Sequence, residues 1–225
     1  MNPHSRTFAG FALGSTLIAG LMCALVANAA PAPAAKPAAS APAAAAATPP
    51  CEACHGAHGE GMAAAHVPRI AGQSADYLQK QLDGYADGTR DNPIMANFAK
   101  ALSEQQRAKF AARYSAMSAP YLPQGKPPNP MQLARGHQLA YQGDEAKRVQ
   151  ACNGCHGPDG IGVPHAAPYL AGQSAEYLAS ALKAFQEGTR KNDAGELMRS
   201  VAKRLDDADI AAVTGYFASV NPSIN

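Results

Sequence analysis

Apolar residues recur at helical spacing in two matched stretches of this chain: Tyr77, Leu78, Leu82 and Tyr85, and then Tyr177, Leu178, Leu182 and Phe185. Residues three, four or seven apart share one face of a helix, so each set predicts an amphipathic helix with a single buried stripe. Ser74 and Ser174 stand at the N-cap positions, where a side-chain oxygen meets an unpaired backbone N–H, and Gly88 and Gly188 stand where a left-handed residue closes the helix. Ser103 with Gln106 forms a capping box for a helix running toward Met117. Asp206 opens the equivalent helix through Ile210, Val213, Tyr216 and Phe217. A further amphipathic stretch from Met131 to Tyr141 carries Leu133, Gly136, Leu139 and Ala140. Nowhere does the chain alternate apolar and polar residues as a half-buried strand would. The predicted class is all-α.

The same pattern shows a duplication. Ala71-Gly72-Gln73-Ser74-Ala75-Asp76-Tyr77-Leu78 returns as Ala171-Gly172-Gln173-Ser174-Ala175-Glu176-Tyr177-Leu178, and Gly88-Thr89-Arg90 returns as Gly188-Thr189-Arg190. A period of about a hundred residues is domain-sized, so it predicts two tandem domains and not a solenoid of short repeats. The Pro-rich segment 120–130 is the natural linker, which gives a first domain over 51–119 and a second over 131–225.

Ahead of both domains the pattern changes character. Arg6 is followed by a largely apolar run from Phe8 to Val26 and then by the small-x-small tripeptide Ala27-Asn28-Ala29, so residues 1–29 read as an export signal cleaved before Ala30. The competing reading is an uncleaved anchor, because the run approaches the ~20 residues of a membrane span. Gly10, Gly14, Ser15, Thr16 and Gly20 dilute it and favour cleavage. Cys23 follows Leu21-Met22 where a lipid-attachment signal would need small residues, which argues against acylation. Residues 30–50 are almost wholly Ala and Pro, a composition with no means of burying a core, and are expected to be a disordered spacer.

Chemistry enters with two pentapeptides, Cys51-Glu52-Ala53-Cys54-His55 and Cys152-Asn153-Gly154-Cys155-His156. At this spacing two thiols share one helical turn and can form thioethers to the two vinyl groups of haem, with the adjacent imidazole beneath the iron. A zinc half-site would need two Cys pairs converging on one ion, yet each pair here has its own trailing His about a hundred residues from the other. A thioredoxin-like pair would follow a strand, and none precedes either motif. Each motif therefore predicts one covalently attached haem c. With the export signal removed, every remaining cysteine belongs to a haem motif, which leaves none for a disulfide or for catalysis.

The opposite iron ligand separates an electron carrier from a haem that binds substrates. After His156 the second half contains one methionine, Met198, whereas the first offers Met62, Met95 and Met117. Matching Ala99-Lys100-Ala101-Leu102 to Ala202-Lys203-Arg204-Leu205 places Met95 opposite Met198, 40 and 42 residues beyond the respective histidines. Met62 follows its His too closely, and Met117 corresponds to Val220 in core packing. Any single Met is more often a gap-filler than a ligand. Here, however, Met95 and Met198 occur at equivalent places, in what read as polar loops just before a helix. His58, His66, His137 and His165 are the rival ligands, and none occupies a matching place in both halves. With His and Met on its two faces the iron is closed to small molecules, which points to electron transfer.

Two tandem units with Cys-x-x-Cys-His-Gly, a Gly-Gln-x-x-x-Tyr-Leu helix, a Gly-Thr-Arg turn and a Met before the final helix resemble the diheme cytochrome c4 family over residues 51 to 221. The resemblance implies two cytochrome c-like domains, each wrapped round one covalent haem c, and packed about a pseudo-twofold axis with their haem propionates near the interface. It also implies a periplasmic one-electron shuttle, often membrane-associated, with a quinol-oxidising complex or a dehydrogenase as donor and a terminal oxidase as acceptor. Pro68 and Pro168 would offer a carbonyl to Nδ1 of each ligating His. The same resemblance makes Tyr77, Tyr177, Arg90 and Arg190 candidates for contacts with propionates or across the interface, with helix-packing tyrosines and solvated arginines as the plain alternative.

One departure concerns the first half, which has only the Ala/Pro spacer where the second has its Met131–Tyr141 helix, so the first haem domain is expected to be the more exposed and less stable. Charge excludes one class of partner. The formal net charge of +2 falls to about −3 once Arg6 is lost and four propionates are added, so nucleic acid is not a partner. Two other classes stay open: a dedicated electron-accepting cytochrome subunit of a periplasmic dehydrogenase, and a diheme enzyme, which paired methionines and the lack of a spare cysteine disfavour.

Overall fold

The computed structural model describes residues 51–119, 121 and 126–221. The expected export signal and the Ala/Pro spacer lie outside the described residues, as does part of the linker. Nine α-helices are present among those described. The first half contains α1 (Glu52–His55), α2 (Ala75–Asp87), α3 (Pro93–Ala101) and α4 (Glu104–Ser115). The second contains α5 (Pro130–Tyr141), α6 (Asn153–His156), α7 (Ala175–Glu187), α8 (Leu197–Ala202) and α9 (Asp207–Ser219). Extended pairing among the described residues is limited to isolated bridges. The fold is all-α, and α6 to α9 repeat α1 to α4.

Local signals account for the helix ends. The hydroxyls of Ser74 and Ser174 accept from the N–H of Tyr77 and Tyr177, and Gly88 and Gly188 take left-handed conformations at φ 80° and 73°. Ser103 and Gln106 satisfy each other's backbone donors at the start of α4, and Asn129 and Gln132 do the same for α5. Asp206 caps α9 through the N–H of Asp209.

Two helices depart from the sequence expectation. Met95 and Met198 do not sit in loops ahead of a helix; they lie in the first turns of α3 and α8. In the first half the cause is Asn92-Pro93: the Asn92 side chain accepts from the N–H of Met95 at 3.0 Å, and Pro93 supplies a fixed φ at the first helical position. The second half reaches Met198 differently, through a 3₁₀ turn at Ala194–Glu196 that leaves Glu196 left-handed at φ 59°.

The core is unequal. Leu139, Ala140, Val149, Leu178, Leu205, Ile210, Val213, Tyr216 and Phe217 form one buried cluster, all of it in the second half. Helix α5 crosses α9 there so closely that a Cβ at Gly136 would lie 2.2 Å from the Ala212 carbonyl oxygen. In the first half α4 packs on α2, but no counterpart of α5 covers it among the described residues. Its buried apolar side chains are fewer and mostly smaller: Ala71, Tyr85, Ala99, Leu102, Ala111 and Tyr114. A small domain with so little apolar area depends on something other than its own side chains to fill its centre.

Candidate haem centres

Each dithiol motif folds into a single helical turn. The His55 N–H donates to the Cys51 carbonyl at 2.8 Å, and the His156 N–H donates to the Cys152 carbonyl at 2.9 Å, so both thiols and the imidazole issue from one short stretch of backbone. Cys54 and Cys155 are exposed, and the four thiols form no disulfide. Burial raises the pKa of the Cys51 thiol and pushes that of Cys152 up to about 11. A redox or nucleophilic cysteine needs a lowered pKa, and Cys51 and Cys152 are shifted the other way. Among the described residues no three His, Cys, Asp or Glu side chains converge as a metal-binding group.

The histidines are buried and oriented. His55 is 8% exposed with Nδ1 at 2.9 Å from the Pro68 carbonyl oxygen, and His156 is 7% exposed with Nδ1 at 2.8 Å from that of Pro168. A carbonyl can only accept, so Nδ1 carries the proton and Nε2 keeps its lone pair for a metal. Burial lowers both pKa values, and the proline carbonyls oppose this by favouring a protonated Nδ1. The result is a neutral imidazole presenting Nε2, the form in which histidine binds iron.

The loop that carries each proline is tied down by matching backbone bonds, although the second is one residue shorter. Gly61 N–H donates to the His55 carbonyl and Gly162 N–H to that of His156, both at 2.7 Å. The Gly59 carbonyl accepts from Ile70 and Ala71, as the Gly160 carbonyl does from Leu170 and Ala171. Gly72 then ties to the Tyr114 carbonyl in α4, and Gly172 to the Phe217 carbonyl in α9. Backbone bonds thus hold the proline carbonyl at its distance from the ring.

Met95 and Met198 are both half-buried. The rival histidines are all exposed: His137 stacks on Tyr141 with ring centroids 4.5 Å apart, and His165 pairs with Asp76. His66 and His165 are both left-handed, at φ 56° and 61°, but stand at different places in the turns closed by the bridges Met62–Val67 and Val163–Ala167.

Between the halves, residues from the two Gly-Thr-Arg turns interlock. The Asp91 N–H donates to the Thr189 carbonyl at 2.9 Å, and the Lys191 N–H to that of Thr89 at 2.7 Å. Arg90 Nη2 donates to the Tyr177 hydroxyl at 2.9 Å and Arg190 Nη2 to the Tyr77 hydroxyl at 3.0 Å, so each tyrosine meets the arginine of the other half. Gln81 Oε1 accepts from Arg90, Arg190 and Asn192 at 3.0, 2.8 and 2.9 Å. The guanidiniums lie over Tyr85 and Phe185 and are 7% and 6% exposed, so they are not solvated.

A second crossed pair had no reading in the sequence. Gln73 Nε2 donates to the Tyr169 carbonyl at 2.8 Å while its Oε1 accepts from the Tyr169 N–H at 3.0 Å. Gln173 does the same to Arg69, at 2.8 and 3.0 Å. Arg69 and Tyr169 directly follow the two prolines. The available signal was the Ala-Gly-Gln-Ser block repeated without change.

These residues fit haem. Two thiols per turn match two vinyl groups, and a neutral imidazole offers Nε2 beside them. The interface also buries two guanidiniums, neither of which meets a carboxylate within ion-pair distance among the described residues. Buried cations without a counter-charge are costly, and a propionate is a suitable partner.

Comparison with known proteins agrees. The cytochrome c family model matches residues 40–119 and 133–221. The thiosulfate dehydrogenase electron acceptor of Stutzerimonas stutzeri is 44% identical over 171 residues, covering 76% of this chain and 78% of that protein. Reduced recombinant cytochrome c4 from Pseudomonas stutzeri superposes with a TM-score of 0.69 at 32% identity, covering 76% of this chain and 93% of that one. Thiosulfate dehydrogenase (TsdBA) from Marichromatium purpuratum gives a TM-score of 0.71 at 35% identity, again over 76% of this chain, but the match spans only 36% of that longer chain.

Proposed function

The chain belongs to the cytochrome c family, as a tandem diheme member of the cytochrome c4 type with two covalently bound haem c, and we propose that it acts in the periplasm as a one-electron carrier loaded by a dehydrogenase. The group supplies an iron couple that exchanges single electrons. In this reading Cys51, Cys54, Cys152 and Cys155 would form the thioethers, and His55 with Met95 and His156 with Met198 would ligate the iron. Residues 51–119 and 131–225 are then the two haem domains joined by the segment 120–130, behind an N-terminal export signal.

The observation that carries this reading is the buried neutral imidazole held by a proline carbonyl beside each dithiol turn, twice over. A carrier needs ligands that do not move between oxidation states, because every rearrangement slows transfer. The protein contributes this stiffness through the backbone bonds of the two proline loops. A methionine thioether as the second ligand would favour the ferrous form and leave no position for a substrate, which fits a carrier and not an enzyme. Arg90 and Arg190 would neutralise propionates at the interface, with Tyr77 and Tyr177 fixing the guanidinium planes.

The relatives named as electron acceptors of thiosulfate dehydrogenase, at 44% and 43% identity, support a dehydrogenase of that class as the donor. They also favour a second reading, in which the chain is a permanent subunit of such an enzyme instead of a shuttle that passes electrons on toward a terminal oxidase. Stopped-flow mixing of oxidised holoprotein with a thiosulfate dehydrogenase and thiosulfate should show both haem bands reduced at rates proportional to carrier concentration. Rates independent of concentration, with the two proteins eluting together from a sizing column, would select the subunit. Absence of reduction would remove this donor.

A further inference from the structure

The two glutamine contacts form a crossed arrangement whose placement bears on the iron ligands. Gln173 belongs to the second half, yet both polar atoms of its carboxamide grip the main chain of Arg69 in the first. Arg69 immediately follows Pro68, whose carbonyl receives Nδ1–H of His55. Gln73 grips Tyr169 in the same way, immediately after Pro168 and its bond to His156. Both carboxamides are buried, at 5% and 4% exposure, so water does not replace these bonds readily.

We propose that Gln73 and Gln173 are positioning residues wired across the interface, each setting the proximal histidine geometry of the haem held by the other half. A donor and an acceptor on one planar amide hold the N–H and the C=O of one residue together, as a backbone ladder would. The Arg69 N–H shares a planar peptide group with the Pro68 carbonyl, and the Tyr169 N–H with that of Pro168, so the distance from each carbonyl to Nδ1 follows the glutamine. A strong Nδ1–H···O bond makes the imidazole a better electron donor and favours ferric iron, so loosening it raises the potential. The two holds are not equal: Gln173 Oε1 also accepts from the Ser174 N–H at 3.1 Å, and the Arg69 guanidinium donates to the Ala119 carbonyl at 2.8 Å.

This inference rests on the ligation by His55 and His156 proposed above, and the test separates the two. The reduced holoprotein, labelled with nitrogen-15 at histidine, gives one Nδ1–H signal for each proximal ring. Gln173→Met, nearly equal in volume, should move the His55 signal upfield and raise the potential of the haem on that side, leaving His156 in place; Gln73→Met should do the reverse. Gln81→Met serves as the control, since it loosens the interface without touching either proline loop. Should a Met variant not accumulate, Gln173→Asn and Gln73→Asn withdraw the same amide by one methylene and should give smaller shifts in the same crossed pattern. Shifts confined to a glutamine's own half, or equal shifts from Gln81→Met, overturn the proposal. Failure of the ligation reading would be visible earlier, as high-spin iron in the unsubstituted protein.

Discussion

Replacing Gly136 by Ala tests the inequality of the two halves most directly. The added Cβ would lie 2.2 Å from the Ala212 carbonyl oxygen and 2.6 Å from Tyr216 Cβ, whereas carbon contacts relax at roughly 3.5–4.0 Å. Since the obstacle is main chain in α9, no side chain can swing aside, and α5 must retreat by on the order of 1 Å. Overpacking of this kind costs about 1–3 kcal/mol, while Ala in place of Gly in a helix interior returns roughly 0.5–1 kcal/mol. Because the clash is with backbone, the upper part of that range applies, and the net loss is about 2 kcal/mol, on the order of 30-fold in the folded-to-unfolded ratio. With a urea slope of about 2 kcal/mol/M the midpoint should fall by roughly 1 M. The assay is a urea titration of the holoprotein followed by amide signals assigned to each half, with loss expected in the second. Gly154→Ala is the matched control: no heavy atom lies within 4 Å of its Cβ, and the first motif already carries Ala53 there. An unchanged midpoint for Gly136→Ala, or earlier melting of the first half, would refute the claim that the α5–α9 crossing sets the stability of the second.

Three further outcomes are expected. In the unsubstituted protein the first half should lose its amide signals at lower urea than the second, because α4 lacks the cover that α5 gives α9; the reverse order would show that the haem and the interface outweigh the missing helix. Met95→Ala and Met198→Ala should each remove half of the sulfur-to-iron absorption near the red end of the ferric spectrum, and a variant that leaves it intact would show its methionine is not a ligand. Acid should weaken the second half: Arg135 holds the Asp144 carboxyl below the usual aspartate range, and Lys147 does so for Asp206. Both folded pKa values are depressed, so the stabilisation is present above the ordinary value of 3.8 and is lost as pH falls below it toward the folded values. Urea midpoints of the second half at pH 7 and near pH 3 check this, and an Asp144→Asn variant should show a shallower decline.

Much of this molecule is legible from short stretches of chain. Ser74, Ser103, Ser174, Asp206, Gly88 and Gly188 act within their own turns, and so they read correctly from spacing alone. The two Cys-x-x-Cys-His turns are local in the same sense. Local rules erred at the methionines: the stretch around Met95 read as a polar loop, whereas Asn92 with Pro93 starts α3 and carries Met95 in its first turn.

The sequence by itself determined most of the helices, the duplication and the single-turn form of each dithiol motif, because those depend on residues within a few positions of one another or on a direct repeat. The family resemblance marked Tyr77, Tyr177, Arg90 and Arg190 as interface candidates, while Gln73 and Gln173 showed only as part of a repeated block. Only the tertiary structure decided their partners. In a duplicated chain, Tyr77 has two identical arginines to choose from, and nothing in the spacing says that its hydroxyl meets Arg190 and not Arg90. Gln173 likewise could have held its own proline loop, yet it holds that of the other half. Hydrogen bonds of this kind span about a hundred residues and have no period along the chain. Their selection follows from which surfaces two copies of one fold can bury against each other.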